Sequence, residues 1–146
     1  MSNDDANAPV TSLQSIDVPG WPRPRGYANG VVLPAGARTL LTGGQIGWEP
    51  DGTFTTDDFA EQFAKALDNV LAVVRAAGGA PEHVARMTVY VTDLDEYRAS
   101  LASIGAAWKT RLGRHYPAMA LVRVAGLLEP RAKVEIEATA MLPVST

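Results

Sequence analysis

Hydrophobic and polar positions alternate with two different periods along this chain, and the changes of period mark its elements. Tyr27 to Leu33 and Arg38 to Gln45 read as two short strands, and Pro34-Ala35-Gly36 between them predicts a hairpin. Phe59, Phe63, Ala66, Leu67, Val70, Val73, Val74 and Ala77 then recur at helical spacing. Asp58 with Glu61 three residues on fits a capping box, and Gly78-Gly79 supplies a left-handed stop. His83 to Thr92 returns to period two, with Ala85, Met87, Val89 and Val91 on one face. Arg86, Thr88, Tyr90 and Thr92 occupy its other face. A second helix opens at Asp93 with Glu96 as box partner, buries Leu94, Tyr97, Leu101, Ile104, Trp108 and Leu112, and ends at Gly113. The last two strands run from Ala118 to Val124 and from Lys133 to Ala138. The turn-rich segment Gly126 to Arg131 predicts that they form a hairpin with Met119 opposite Glu135.

The order β-β-α-β-α-β-β predicts an α+β fold, two helices packed on one face of a mixed sheet. Residues 1–20 lack periodicity and read as a flexible N-terminal arm, and 21–146 as a single domain. The sheet face away from the helices collects Arg86, Thr88, Tyr90, Arg123, Glu135, Glu137 and Thr139. Apolar residues interspersed with these charges predict a symmetric oligomer that covers the face and pairs the charges across it.

Composition narrows the chemistry. The chain has 146 residues, enough for one core without covalent staples. A net charge of -3 and no basic stripe argue against nucleic-acid binding, which needs phosphate neutralisation. No apolar run is long enough to cross a membrane, and the acidic N-terminus resembles no export signal, so a cytoplasmic protein is expected. The absence of Cys removes thiolate nucleophiles and zinc–sulfur sites. His83 and His115 have no partner at ligand spacing, so neither a metal nor another cofactor is expected. Gly43-Gly44 is too short for a phosphate loop and reads as a point where backbone approaches a ligand or another chain closely.

Several stretches together carry a resemblance: Tyr27 in its Gly-rich strand, Gly44-Gln45-Ile46, Gln62 to Asn69, Thr88 to Asp93, Pro117-Ala118, and Val134-Glu135-Ile136-Glu137-Ala138. In order and spacing they are similar to the Rid family, also called YjgF/YER057c/UK114, from about Gly26 to Met141. The resemblance implies a chorismate-mutase-like fold and a homotrimer with ligand clefts between subunits. It also implies hydrolysis of reactive imines and enamines. In that family an Arg after Pro-Ala grips the substrate carboxylate, a Glu in the last strand orients water, and a Tyr near the first strand closes over the ligand. Tyr27 and Glu135 match this pattern, whereas Met119 stands where the arginine belongs. Gly43, Leu121 and Leu101 likewise stand where family members carry polar residues.

The resemblance therefore assigns Glu135 the catalytic position, and Tyr27, Gly43, Gly44, Ala118, Met119 and Leu121 the substrate-binding positions. Backbone groups near Gly44 and Ala118 would hold the polar atoms, and Met119 with Leu121 would form a soft apolar wall. A guanidinium–carboxylate pair contributes about 1.5–3 kcal/mol, so a member without it should prefer a ligand other than aminoacrylate. Two alternatives stay open for the charged groups. Glu135 orients water or forms an ion pair with Arg86 or Arg123; Arg123 and Arg114 reach the cleft, or Arg123 pairs with Glu137 across the hairpin and Arg114 with His115 is a solvated loop. Two functions follow: an imine or enamine deaminase of altered range, or a non-catalytic small-molecule or partner-binding module on the same trimeric fold.

Overall fold

The long helical stripe of the sequence becomes helix α1, Phe59–Ala76, and it organises the rest. The computed structural model describes residues 12–143. Phe63, Ala66, Leu67, Val70, Leu71 and Val74 are essentially inaccessible and press on the sheet, while Val73 and Ala77 lie at the margin of the stripe. Asp58 caps the helix through its carboxylate, which accepts the Glu61 N–H at 2.9 Å. The reciprocal half of the box is rerouted: Glu61 takes the Thr56 hydroxyl, and that hydroxyl accepts the Asp58 N–H. At the other end Gly78, at φ 88°, bonds to the Arg75 carbonyl, and Gly79 to the Val74 carbonyl. That pairing is a left-handed stop which a side chain would strain.

The sheet holds β3 (Arg38–Leu41), β4 (Gln45–Ile46), β5 (Val84–Val91), β6 (Ala118–Arg123) and β7 (Val134–Leu142), after a separate pair formed by β1 (Gln14–Ser15) and β2 (Val31–Val32). Its order is β3-β7-β5-β6, with β4 also on β7. β5 is central, parallel to β6 and antiparallel to β7. Helices α2 (Leu94–Ala99) and α3 (Leu101–Leu112) form the crossover from β5 to β6. The result is an α+β fold with its helices on one face of a mixed sheet, and its core lies between α1, α3 and the strands.

Two expected hairpins do not form. β2 pairs with β1 rather than with β3, and β3 runs instead beside β7. β6 and β7 flank β5 on opposite sides, so neither is the other's neighbour. Period-two alternation fixes which side chains share a face but not which strand lies alongside. The helical crossover places β6 parallel to β5, and residues 124–133 then carry the chain past β5 to its free side. The register also revises the expected opposition of Met119 and Glu135. Met119 aligns with Met87 on β5 and Glu135 with Tyr90, positions on opposite faces of the sheet.

Three smaller departures have local causes. The segment expected as one strand from Arg38 to Gln45 breaks at Gly43-Gly44: Leu41 faces Thr139 and Gln45 faces Ile136, so four steps on one strand match three on the other. The Thr42 hydroxyl accepts the Ala138 N–H across this bulge. The second helix splits at Ser100, which ends α2 and opens α3, so Leu101 is 52% exposed rather than buried. His83 belongs to a short 3-10 turn, Pro81–His83, where its Nδ1 accepts the Ala80 N–H, and β5 starts one residue later.

Two polar side chains of α1 fasten loops to this frame. Buried Gln62 donates to the Thr56 and Arg131 carbonyls and accepts the Lys133 N–H, each at 2.9–3.0 Å. Asn69 donates to the Ile46 and Trp48 carbonyls at 2.8 and 3.0 Å, holding the end of β4 against the helix. Gly47 permits that approach, since a Cβ there would lie 2.6 Å from the Gln62 carbonyl oxygen.

Candidate functional site

The helix-side edge of the sheet is incompletely covered. α3 packs through Ile104, Trp108 and Leu112, but Leu101 and Gly105 on the same stripe are exposed. A Cβ on Gly105 would meet nothing within 4 Å. Between this part of α3 and β6 lies a cavity of about 490 Å³, within the usual size of small-molecule sites. Met119 and Leu121 form its floor, alternating with Ala118, Ala120 and Val122, which face the other side. Tyr27, 43% exposed, stands at the rim.

The remaining wall is largely aromatic. Phe63, Tyr97, Trp108 and Tyr116 all line the cavity. Trp108 and Tyr116 stack with ring centroids 5.9 Å apart and planes 5° from parallel. Trp108 is held by its indole N–H, which donates to the His115 carbonyl at 3.1 Å. His115 in turn contacts the Val84 carbonyl oxygen through Nε2 at 2.6 Å, so it braces the loop before β6. Arg25 also lines the cavity and is the one charged residue among its lining residues.

The open face of the sheet is chemically different. Glu135, Glu137 and Thr139 on β7 lie beside Tyr90, Thr88 and Arg86 on β5. The Tyr90 hydroxyl donates to Glu137 Oε1 at 2.7 Å, and that bond is the main reason the phenol's pKa is raised. Glu135 and Glu137 add a same-direction charge effect, opposed by Arg86. Gly44 packs directly on the Glu135 side chain, so closely that a Cβ at position 44 would overlap the carboxylate. A smaller cavity of about 290 Å³ opens on this face, lined by Arg86, Thr88, Glu137 and Thr139 with Leu41, Thr42 and Ala138.

The expected site residues thus fall into two groups. Tyr27, Met119 and Leu121 meet in the helix-side cavity, joined by Leu101. Gly44 and Glu135 meet on the other face of the sheet, with Gly43 beside them in the bulge. Ala118 lies between the groups: its neighbour Pro117 accepts the Ala28 N–H at 2.9 Å, and Ala118 itself bridges to Ala28. That bridge ties the segment bearing Tyr27 to the start of β6.

The charged neighbours also resolve. Among the described residues, neither Arg86 nor Arg123 forms an ion pair with Glu135. Arg123 Nε donates to the Thr92 carbonyl at 3.4 Å, and Glu137 is engaged by Tyr90, so the expected Arg123–Glu137 pair across a hairpin is replaced by two other contacts. The physical reason is the intervening strand β5. Neither Arg114 nor Arg123 lines the helix-side cavity, whereas Arg25 does. Sequence reasoning missed Arg25 because it lies in a Pro-rich extended segment without periodicity. It took Tyr97 and Trp108 as core, and Trp108 is buried in the core cluster with Tyr97 packed against it, but helical spacing does not show that the same side chains also line a cavity.

Residues 24–142 match the Endoribonuclease L-PSP family. The chain is 35% identical over 118 residues to 2-iminobutanoate/2-iminopropanoate deaminase of Escherichia coli K12, covering 79% of this chain and 86% of that protein. Among solved structures, a protein of unknown function of the Rid family from Yersinia pestis, YyfB, superimposes with a TM-score of 0.78 at 29% identity, covering 90% of this chain and 99% of that one. E. coli TdcF with bound serine superimposes with a TM-score of 0.62 at 33% identity, covering 88% and 98%.

Proposed function

The chain belongs to the Rid family (YjgF/YER057c/UK114), with its chorismate-mutase-like fold, and we propose that it deaminates a reactive imine or enamine bulkier than aminoacrylate. The single observation that carries this reading is the convergence of Tyr27, Leu101, Met119 and Leu121 in one apolar cavity. Three of these are positions where the family resemblance expects polarity. Replacing the family's carboxylate-gripping arginine by Met119 removes a charge-assisted pair and leaves a desolvated carboxylate without a partner, which costs about 2–5 kcal/mol. At about 1.4 kcal/mol per tenfold, affinity for a small amino-acid-derived imine falls by about thirtyfold to several thousandfold. A ligand with a larger apolar body offsets that loss by burying area against Met119, Leu121 and the aromatic wall.

Within one chain the cavity and Glu135 lie on opposite faces of the sheet, so the chemistry calls for a second copy. In the homotrimer we propose, the open face is covered by neighbouring subunits, and the cavity mouth is completed by Glu135 of the partner subunit. That carboxylate accepts a proton from a water molecule as the water attacks the C=N carbon. The attack breaks the C=N π bond onto nitrogen, the tetrahedral carbinolamine expels ammonia after proton transfer to nitrogen, and a carbonyl remains. Hydrolysis of this kind uses only water and a positioned base.

The separation of the two groups favours one competing reading, a trimeric module that binds an apolar metabolite in the cavity without turnover. Imines generated in place by amino-acid oxidases from aliphatic and aromatic amino acids distinguish the two. Deamination faster than buffer that is lost in Glu135→Ala supports the enzyme. Rates equal to buffer across the whole set, together with ligand-induced thermal shifts, establish the binding module instead.

A further inference from the structure

The helix-side cavity carries a single unbalanced charge. Among the described residues Arg25 is its one Lys, Arg, Asp or Glu, and no ion pair there involves Arg25. Its placement is built into the fold. Gly26, at φ 80°, turns the chain between Arg25 and Tyr27 in a conformation that side chains rarely adopt. One residue beyond Tyr27, the Ala28 N–H is fixed to the Pro117 carbonyl and Ala28 bridges to Ala118. Arg25 and Tyr27 therefore hang from the start of β6, the strand whose next residues, Met119 and Leu121, make the floor of the same cavity.

A cation at the mouth of an apolar, aromatic-walled cavity selects a particular ligand. The guanidinium is permanently charged and presents a planar fork that matches a carboxylate. Among the described residues no acidic side chain of the same chain lines the cavity, so the exposed guanidinium is open to an anionic group on the ligand. The flat stacked pair Trp108–Tyr116 and the volume of about 490 Å³ suit a bulky or aromatic body, which a three-carbon ligand would leave mostly unfilled. We propose that Arg25 is the anion-binding, specificity-determining residue of this cavity, and that its ligand joins one acidic group to a bulky apolar or aromatic body. This inference rests on the reading of the cavity as the ligand site. It adds that charge recognition has moved from the β6 floor, where Met119 stands, to the segment before Tyr27.

A matched pair of probes tests it: 3-phenylpropionate and its neutral amide, 3-phenylpropionamide, titrated calorimetrically into the full-length protein at low salt. The acid is expected to bind at least tenfold more tightly than the amide. Added salt should weaken the acid alone. Arg25→Gln should bring the acid down to the level of the amide, Arg25→Lys should restore part of the difference, and Arg114→Gln should leave it intact. Equal binding of acid and amide by the native protein overturns the inference while leaving the cavity as a ligand site. So does an acid preference that survives Arg25→Gln. If neither probe binds, the assignment of the cavity as the ligand site falls, and this inference falls with it.

Discussion

The two faces of the sheet are made from the same three strands yet offer opposite chemistry. Toward the helices, β5 and β6 contribute Val89, Met119 and Leu121 to an apolar cavity in which Arg25 is the one charged lining residue among those described. Toward the open side, β5 and β7 contribute Arg86, Tyr90, Glu135 and Glu137, already hydrogen-bonded in part to one another. Among the described residues, one face has a mainly apolar cavity with no carboxylate in its lining; the other has carboxylates beside a smaller, more polar one. In the proposed trimer each chain would supply one half of each site, with unlike halves joined across the interface, and the cavity side would set specificity.

The largest expected effect comes from returning charge to the cavity floor. Met119→Arg should raise affinity for pyruvate, a small carboxylate product analogue, by about thirtyfold to several thousandfold, read by calorimetry. If aminoacrylate hydrolysis also appears, the open-face carboxylates have kept a working catalytic arrangement. Affinity without turnover would show that the catalytic half has diverged too. No gain in affinity would break the comparison, because it would mean that the floor is not where the carboxylate is received.

The two glycines that adjoin these faces provide a sharper contrast. Gly44 is covered by the Glu135 carboxylate, whereas Gly105 faces open space. Gly44→Ala should push the carboxylate aside while leaving the fold, because the end of a flexible side chain can give way. Turnover should then fall on the order of a hundredfold, as for other small misplacements of a reacting group, with cavity affinity unchanged. Gly105→Ala should do the reverse, stabilising α3 by about 0.5–1 kcal/mol through lower backbone entropy of the unfolded chain. It should also weaken the bulkiest cavity ligands. Denaturant midpoints and ligand titrations of the two variants separate the faces.

Much of this architecture was legible in the sequence, and the parts that were not share a cause. Apolar spacing located α1, and its stop at Gly78-Gly79 has the geometry those glycines imply. Alternation in β5 assigned Met87, Val89 and Val91 to the core and Arg86, Thr88 and Tyr90 to the open face, as found. On β6, Met119, Leu121 and Val122 are all apolar, so the pattern gave no direction, and the expected opposition of Met119 and Glu135 placed both on one face. Strand neighbours depend on long-range pairing that local periodicity does not encode. The cavity escaped notice for a related reason. Tyr97, Leu101 and Trp108 follow the spacing of a buried helix stripe, and only the break at Ser100 and the small Gly105 leave the volume opposite them unfilled.

The smallest expected effect tests whether the open face is a preformed polar network. The bond from the Tyr90 hydroxyl to Glu137 favours the protonated phenol, and so raises its pKa in the folded protein above the ordinary value. The unfolded chain then releases this proton at lower pH than the folded one. The stabilisation is complete below the unfolded value of about 10 and is lost as pH rises through the folded value. Denaturant midpoints between pH 8 and 11 should decline more steeply for the native protein than for Tyr90→Phe, which lacks the ionisable group. The variant should be slightly less stable at pH 8, and the two curves should converge as the phenol ionises. Parallel curves would mean that the phenol's titration is not coupled to folding, leaving the open-face carboxylates to be organised by subunit contacts alone.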